Sequence, residues 1–158
     1  MTEKSSSPGM TNTATHNDAE VILRLYELRR EPVMREARKF ITFDFWPNSF
    51  EDVGKLFASG GKEFAYFRQV CSYWDMAISF VTRGALDPNL FLDNCNEMIF
   101  IYAKLKGFLP GLRETVNPLF WKRIEDFITS SPEAMQKLEA ISRNVDRVRE
   151  QRMKAAAA

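Results

Sequence analysis

Residues 62–83 read KEFAYFRQVCSYWDMAISFVTR, and this stretch decides the fold. Its polar side chains recur at spacings of three and four residues, so at 100° per residue they share one stripe of a helix. We call this stripe the polar seam; it consists of Arg68, Ser72, Asp75, Ser79 and Arg83. The remaining faces are aromatic and aliphatic. A helix that is apolar over so much of its circumference lies at the centre of a bundle. The sequence therefore predicts a long central helix here.

Helix start and stop signals recur on both sides of the central helix. Three dipeptides join an N-cap residue to a proline, the usual opening of a helix: Asp87-Pro88, Asn117-Pro118 and Ser131-Pro132. Glycines mark helix ends at Gly60-Gly61 and at Gly84. No stretch alternates with the period of two that strands require. These signals predict an all-α fold, an irregular bundle of about six to eight helices.

The same signals give approximate helix bounds. A first helix is expected from Asn17 or Asp18 to Glu31, a second from Pro32, and a short one over FEDVGKLFA that stops at Gly60. A helix is expected to run from Pro88 to Gly107, followed by a broken turn over 108–117. Further helices are expected to open at Asn117-Pro118 and at Ser131-Pro132, the last reaching about residue 153.

The chain divides into three predicted parts. Residues 1–16 are rich in Ser, Thr and Asn and are expected to be a disordered polar tail, residues 17–131 form the helical bundle, and residues 132–158 form an amphipathic C-terminal helix. In that last helix Ala134, Leu138, Ile141, Val145 and Val148 follow a heptad pattern. Such a narrow apolar stripe packs on one neighbour. It either docks on the bundle or forms a homodimer.

Composition excludes several classes of function. The chain has 158 residues and a net charge of +1, so no strong field attracts nucleic acid or an anionic membrane. Two cysteines, Cys71 and Cys95, are too few for a disulfide scaffold. The N-terminal residues lack the apolar segment of a signal peptide, and no apolar run is long enough to span a membrane. A soluble, cytoplasmic protein is expected.

Catalytic and metal-binding patterns are absent from the sequence. Asp75 stands alone in the polar seam, and a carboxylate needs burial or charged neighbours to become catalytic. Asp93 and Glu97 are spaced i,i+4 and are expected to form a solvated acidic helix face. The single histidine, His16, falls in the predicted tail, so neither a transition-metal centre nor a Cys-His pair is expected. We predict no cofactor, no metal and no enzyme.

Two surfaces are candidate contact sites for a protein partner. The loop FDFWP places Phe43, Phe45 and Trp46 close together, as either a hydrophobic plug of the core or an exposed anchor. The second surface is the apolar stripe of the last helix, in particular Leu138, Ile141, Val145 and Val148.

The order of three segments resembles a family of small bacterial all-helical domains of unknown function. The segments are LYELRREPVMREARKFI, FAYFRQVCSYWDMAISFVTRGALDPNLF and YAKLKGFLPGLRETVNPLFWKRIEDF, which together cover about residues 20–130. Within them, the turn Arg83-Gly84-Ala85-Leu86-Asp87 and the start Asn117-Pro118-Leu119-Phe120-Trp121 match the pattern of that family. The resemblance implies a bacterial origin and a helical fold, and it transfers no catalytic residue.

These observations favour a non-enzymatic interaction or adaptor domain, with a protein partner or a second copy of the chain. The alternative is a bundle that binds a small molecule in an aromatic pocket beside a polar edge. That pocket would be lined by Phe67, Tyr73, Trp74, Phe100 and Tyr102. An enzyme would require Asp75, Asp93 or Glu97 to meet a partner from another helix.

Overall fold

The structure, a computed structural model, describes residues 13–158, and over that range the all-α prediction is confirmed. Most of the predicted disordered tail, residues 1–12, lies outside the described residues. Within the described range the backbone forms helices and no strand. The α-helices are α1 (His16–Arg30), α2 (Pro32–Lys39), α3 (Phe50–Ser59), α4 (Lys62–Thr82), α5 (Pro88–Asp93), α6 (Asn96–Leu105), α7 (Leu109–Thr115), α8 (Lys122–Ser130) and α9 (Pro132–Ala157); a π-helix spans Phe40–Asp44 and a 3-10 helix spans Lys106–Phe108.

Helix α4 is the central helix that the sequence predicts. It packs against α2, α3, α8 and the π-helix. Its buried side chains lie on somewhat less than half of its circumference, on the side away from the polar seam: Phe67, Val70, Cys71, Tyr73, Trp74, Ala77 and Ile78. Gly60 and Gly84, which flank α4, have φ angles of 56° and 76°, a left-handed conformation that glycine adopts without a steric penalty. These two glycines therefore end α3 and α4 where the sequence predicts.

Helix α1 begins slightly earlier than predicted because Thr15 is its N-cap. The Thr15 hydroxyl accepts a hydrogen bond from the Asp18 amide, and the Asp18 carboxylate accepts one from the Thr15 amide at 2.7 Å. This capping box satisfies two amides that a helix start leaves free. The other oxygen of Asp18 accepts a hydrogen bond from the amide of Asp87, the N-cap of α5, at 2.9 Å. One carboxylate thus joins two helix starts.

The predicted helix from 88 to 107 is wrong, because the chain breaks between α5 and α6. The side-chain amide of Asn94 donates to the Leu90 carbonyl at 2.8 Å. The backbone amide of Asn94, which would bond that carbonyl in an α-helix, donates to the Phe91 carbonyl at 2.9 Å. A side chain that bonds a nearby carbonyl competes with the helical backbone in this way. Asp93 and Glu97 therefore belong to different helices.

A buried lysine holds the π-helix. The amide of Phe45 bonds the Phe40 carbonyl at 2.9 Å, one residue farther back than in an α-helix, and the Ile41 carbonyl is left without that amide. The ammonium of Lys104 on α6 donates to the backbone carbonyl of Ile41 at 2.6 Å and to that of Thr42 at 3.4 Å. It also lies 4.0 Å from the centroid of the Trp46 ring. Lys104 is 2% exposed. Burial lowers its pKa to about 7, helped by Arg152 and Arg149 and opposed by Asp44.

The segment FDFWP, which spans the end of the π-helix and the loop after it, divides its three aromatic residues between core and surface. Phe45 is buried and packs against the rings of Phe40 at 5.6 Å and Phe67 at 5.9 Å, so it is the plug. Trp46 is half-buried between Phe100 and the Lys104 ammonium. Phe43 is 65% exposed. The prediction that Phe45 belongs to an exposed contact surface is therefore wrong, because the core covers its side chain.

Helix α9 docks on its own bundle, along α6 and α8. Leu138 and Val145 are buried there together with Ala134, while Ile141 and Val148 are partly buried. The Lys137 ammonium donates to the Leu92 carbonyl at 2.7 Å, and Arg149 donates to the Lys104 carbonyl at 3.2 Å. The apolar stripe of α9 is thus occupied within the chain, and its buried members are not a free contact surface.

Among the described residues, no helix combines the length and the apolar character needed to cross a bilayer.

Lys104 makes stability depend on pH in a defined direction. Its pKa in the folded chain lies below the ordinary lysine value of 10.5, so between about pH 7 and pH 10.5 the unfolded chain holds a proton that the folded chain has released. The unfolding free energy of the unmodified protein, minus that of Lys104→Met, should therefore rise by up to about 1.4 kcal/mol per pH unit above pH 7. Urea unfolding at several pH values between 6 and 9 measures this difference. A flat difference would contradict the lowered pKa.

The docking of α9 predicts which of its side chains matter for stability. Leu138→Ala should lower the unfolding free energy by about 2–4 kcal/mol, because it leaves a cavity between α9 and the bundle. Met135→Ala, on the exposed face of the same helix, should change it by less than about 0.5 kcal/mol. Urea unfolding followed by circular dichroism measures both. Equal, small effects would mean that α9 is not docked.

Candidate binding site

The first three residues of the polar seam line one cavity. Arg68 and Ser72 are exposed at its rim, and Asp75 is partly buried. Ser79 and Arg83 continue the seam along α4 but lie outside the cavity. We call this space, of about 250 Å³, the Asp75 cavity; its lining residues are Phe57, Phe64, Phe67, Arg68, Cys71, Ser72, Asp75, Val116, Asn117, Leu119, Phe120 and Trp121.

Aromatic rings form most of the walls of the Asp75 cavity. Phe57 of α3 packs against Phe64 and Phe67 of α4, at 4.9 and 5.4 Å between ring centroids. Across the cavity Phe120 lies parallel to Phe67 at 6.4 Å. Contacts of this kind fix the rings relative to each other beyond what apolar burial alone provides. The walls are therefore an apolar, ordered surface with a polar edge contributed by α4.

The remaining wall is a turn, where the sequence predicts the start of a helix. Asn117 does not open a helix; its side-chain oxygen accepts a hydrogen bond from the Leu119 amide at 2.9 Å, and α8 begins only at Lys122. Trp121 has a φ of 54°, the left-handed region that a bulky residue rarely adopts. Its indole N–H is buried and donates to the Cys71 carbonyl of α4 at 3.1 Å. This contact holds Trp121 in place and prevents an earlier helix start.

Asp75 has no hydrogen bond or ion pair within residues 13–158. Two arginines of other helices are engaged with other acids, since Arg113 pairs with Glu125 at 3.0 Å and Arg38 pairs with Glu97 at 2.6 Å. Arg68 lies over the Phe64 ring, 5.8 Å from its centroid. Burial raises the pKa of the Cys71 thiol, and the charge of Asp75 adds to that increase. The carboxylate is thus available to a bound group, and the thiol beside it is protonated at neutral pH.

The hydroxyl groups of the polar seam are used within α4 itself. Ser72 donates to the Gln69 carbonyl at 3.2 Å, and Ser79 donates to the Met76 carbonyl at 2.6 Å. Such local bonds are common for serine within helices. Of the five seam residues, Arg68 and Asp75 therefore remain the charged groups that can meet a ligand in the cavity.

The expected acidic face at Asp93 and Glu97 is wrong. Asp93 is exposed at the end of α5, whereas the side chain of Glu97 is only 13% exposed. Glu97 accepts hydrogen bonds from Arg38 at 2.7 Å and from the Trp74 indole at 3.2 Å. It is therefore a structural counter-ion that joins α2, α4 and α6. Sequence spacing missed this because its partners lie 59 and 23 residues away.

The aromatic pocket expected from the sequence does not exist as a single site. Phe67 lines the Asp75 cavity, whereas Tyr73 and Trp74 line another cavity on the opposite side of α4, next to α1. Phe100 packs against Trp46, and the Tyr102 hydroxyl reaches Glu125 at 3.4 Å. The prediction is wrong because the five residues point in different directions around two helices.

Sequence reasoning missed the residues 116–121 as part of the site. One signal was available: Leu119, Phe120 and Trp121 are three consecutive bulky apolar residues, and a single helix face cannot bury three neighbours. The alternative to a helix start is a turn, which places some of these three side chains at the surface and others in the core. In the structure Leu119 is 71% exposed and Trp121 is buried.

The residues 13–158 contain no group of three or more His, Cys, Asp or Glu side chains arranged to hold a metal ion.

A family model described as a domain of unknown function, DUF4760, matches residues 14–131. The match covers most of the chain, which therefore belongs to this family. No curated protein and no solved structure matches it.

The two acidic residues that look equivalent in sequence should differ in their contribution to stability. Glu97→Gln removes the charge that balances Arg38 and should lower the unfolding free energy by about 3 kcal/mol, the lower end for a buried pair, because Arg38 keeps some contact with water. Asp93→Asn, at the exposed position, should change it by less than about 0.5 kcal/mol. Parallel urea titrations compare the two variants. Similar losses would show that Glu97 is not a buried counter-ion.

Proposed function

We propose that this chain is a non-enzymatic binding domain whose Asp75 cavity receives an apolar side chain from a segment of a partner protein. The observation that carries the proposal is the carboxylate of Asp75, which lies at the edge of an aromatic cavity and has no partner among the described residues. Apolar anchors that fill such pockets contribute much of the binding energy at protein interfaces. A partly buried carboxylate gains further when a cation from the partner reaches it.

The edge of the cavity favours a protein segment over a small molecule. Two apolar residues at its edge, Leu119 and Val116, are 71% and 50% exposed. A ligand that filled only the cavity would leave both in water, whereas a segment of a protein would cover them.

The charges of the polar seam suggest the pattern of the segment. Arg68 and Asp75 are seven residues apart on α4, which corresponds to about 10 Å along the helix axis. A complementary segment carries an apolar anchor between one acidic and one basic side chain. Opposite charges arranged in this way contribute specificity and orientation more than affinity.

The composition of the cavity supports binding rather than catalysis. Asp75 is the one carboxylate among its lining residues, all of which belong to the described part of the chain. The raised pKa of the Cys71 thiol disfavours the thiolate, the form that acts as a nucleophile. Ser72 has no base beside it in the cavity. These features favour an interaction domain.

Selection of peptides from a random library displayed on phage tests the proposal. Peptides that bind should contain an aromatic or aliphatic residue between a basic and an acidic one. Their affinity, measured by calorimetry, should fall by about tenfold with Asp75→Asn and with Leu119→Ser. Glu63→Gln, an exposed carboxylate on the same helix, is the matched control and should leave the affinity unchanged.

Two results would contradict this function in different ways. Peptides whose affinity is insensitive to both Asp75→Asn and Leu119→Ser would place binding elsewhere. If instead no peptide is selected, but small apolar amines shift the NMR resonances of Phe67 and Phe120 in a manner that depends on Asp75, the cavity belongs to a small-molecule binder. That alternative uses the cavity without its apolar edge.

A further inference from the structure

A second cavity lies on the opposite side of α4, between α1, α4 and α5. Its volume is about 120 Å³. Four rings line it, those of Tyr26, Tyr73, Trp74 and Phe91, together with the guanidinium group of Arg29. The rings of Tyr73 and Phe91 both meet Trp74 edge-on, at 5.0 and 6.3 Å between centroids. The cavity is thus a small aromatic space with one cation in its wall.

The cation in this wall has no counter-ion in the part of the chain that the structure describes. Arg29 lies over the rings of Trp74 and Tyr26, at 5.4 and 5.7 Å from their centroids. Its Nε–H group is buried and has no hydrogen-bond acceptor within residues 13–158. A buried N–H group without an acceptor, on a charged side chain, costs free energy that an incoming anion would recover.

The neighbouring groups cannot supply that anion. The carboxylate of Glu97 is already shared by Arg38 and the Trp74 indole. Arg38 also donates to the backbone carbonyl of Arg29 at 3.2 Å. Within residues 13–158 the Arg29 side chain forms no ion pair, and its Nε–H group has no acceptor.

Two other polar side chains at the cavity already donate to backbone carbonyl groups. The Tyr73 hydroxyl donates to the Leu25 carbonyl at 2.8 Å, and the Asn94 side-chain amide donates to the Leu90 carbonyl. The cavity therefore offers a ligand one charged donor, at Arg29, among mostly aromatic and aliphatic side chains.

We infer that this cavity binds a small aromatic carboxylate, with the carboxylate at Arg29 and the ring among Tyr26, Trp74 and Phe91. A guanidinium group binds a carboxylate through paired N–H donors, which a neutral group cannot match. At about 120 Å³ the cavity is somewhat smaller than an apolar protein cavity of about 150 Å³ that holds benzene, so it takes a single ring while the carboxylate lies beside Arg29 in its wall. A phosphate is a poorer fit, because its higher charge needs more donors than one guanidinium group in an apolar wall provides. This site is separate from the Asp75 cavity and does not depend on the function proposed for it.

Benzoate is the probe that tests this inference, and benzamide, which has the same shape without the charge, is its control. Both are titrated into the full-length protein while the indole N–H resonance of Trp74 is followed by NMR. Benzoate should shift that resonance and the amides around Arg29, and it should bind about tenfold or more tightly than benzamide. Arg29→Gln should remove this preference.

Arg30→Gln is the matched variant, because Arg30 is the next residue, carries the same charge and also lies 5.7 Å from the Tyr26 ring, but does not line the cavity. It should leave the affinity for benzoate unchanged. Equal binding of benzoate and benzamide, no shift at Trp74, or the same loss in both arginine variants would overturn the inference. The comparison of the two probes on the unmodified protein decides the matter even if Arg29→Gln fails to fold.

Discussion

The rest of the structure depends on one constraint, the apolar circumference of α4. Outside the polar seam most side chains of this helix are aromatic or aliphatic, so neighbouring elements have to cover it on several sides. α2 and the π-helix cover one side, α3 and α8 cover others, and α1 and α5 border it at the second cavity. The two cavities lie where this covering is incomplete. One opens at the polar seam and the other lies between α1 and α5, so both candidate sites are consequences of the same helix.

Buried charges then fix which neighbours cover α4. Glu97 and Lys104 are seven residues apart on α6, two turns along one face. Glu97 binds Arg38 of α2, and Lys104 binds the carbonyl groups of the π-helix that follows α2. α6 therefore binds the continuous segment formed by α2 and the π-helix at two points. Apolar packing alone would allow this segment to slide or rotate, whereas two buried polar contacts specify a single position.

The features predicted correctly are those with a local cause. The central helix follows from spacing, its end at Gly84 from a left-handed glycine, and the starts at Asp87 and Ser131 from side chains that cap the next turn. The failures have distant causes. Asn117-Pro118 carries the same start signal as Asp87-Pro88, but the indole of Trp121 bonds Cys71, fifty residues away, and delays the helix. Helical spacing in the sequence identified Asp75 as part of a polar stripe. The turn that completes its cavity, residues 116–121, depends on that distant bond, so local sequence signals could not predict this part of the candidate site.

The π-helix at Phe40–Asp44 also has a genetic consequence. One extra residue in a helical turn rotates everything that follows by about 100°, so here it sets the direction of Phe45 and Trp46 and leaves the Ile41 carbonyl for Lys104. Loss of a single codon in this stretch would restore an ordinary α-helical turn, give the carbonyl an amide partner and turn both aromatic rings away from their sites. An in-frame deletion of one residue is therefore more disruptive here than most substitutions. The length of this segment, more than its composition, therefore determines where Phe45 and Trp46 lie.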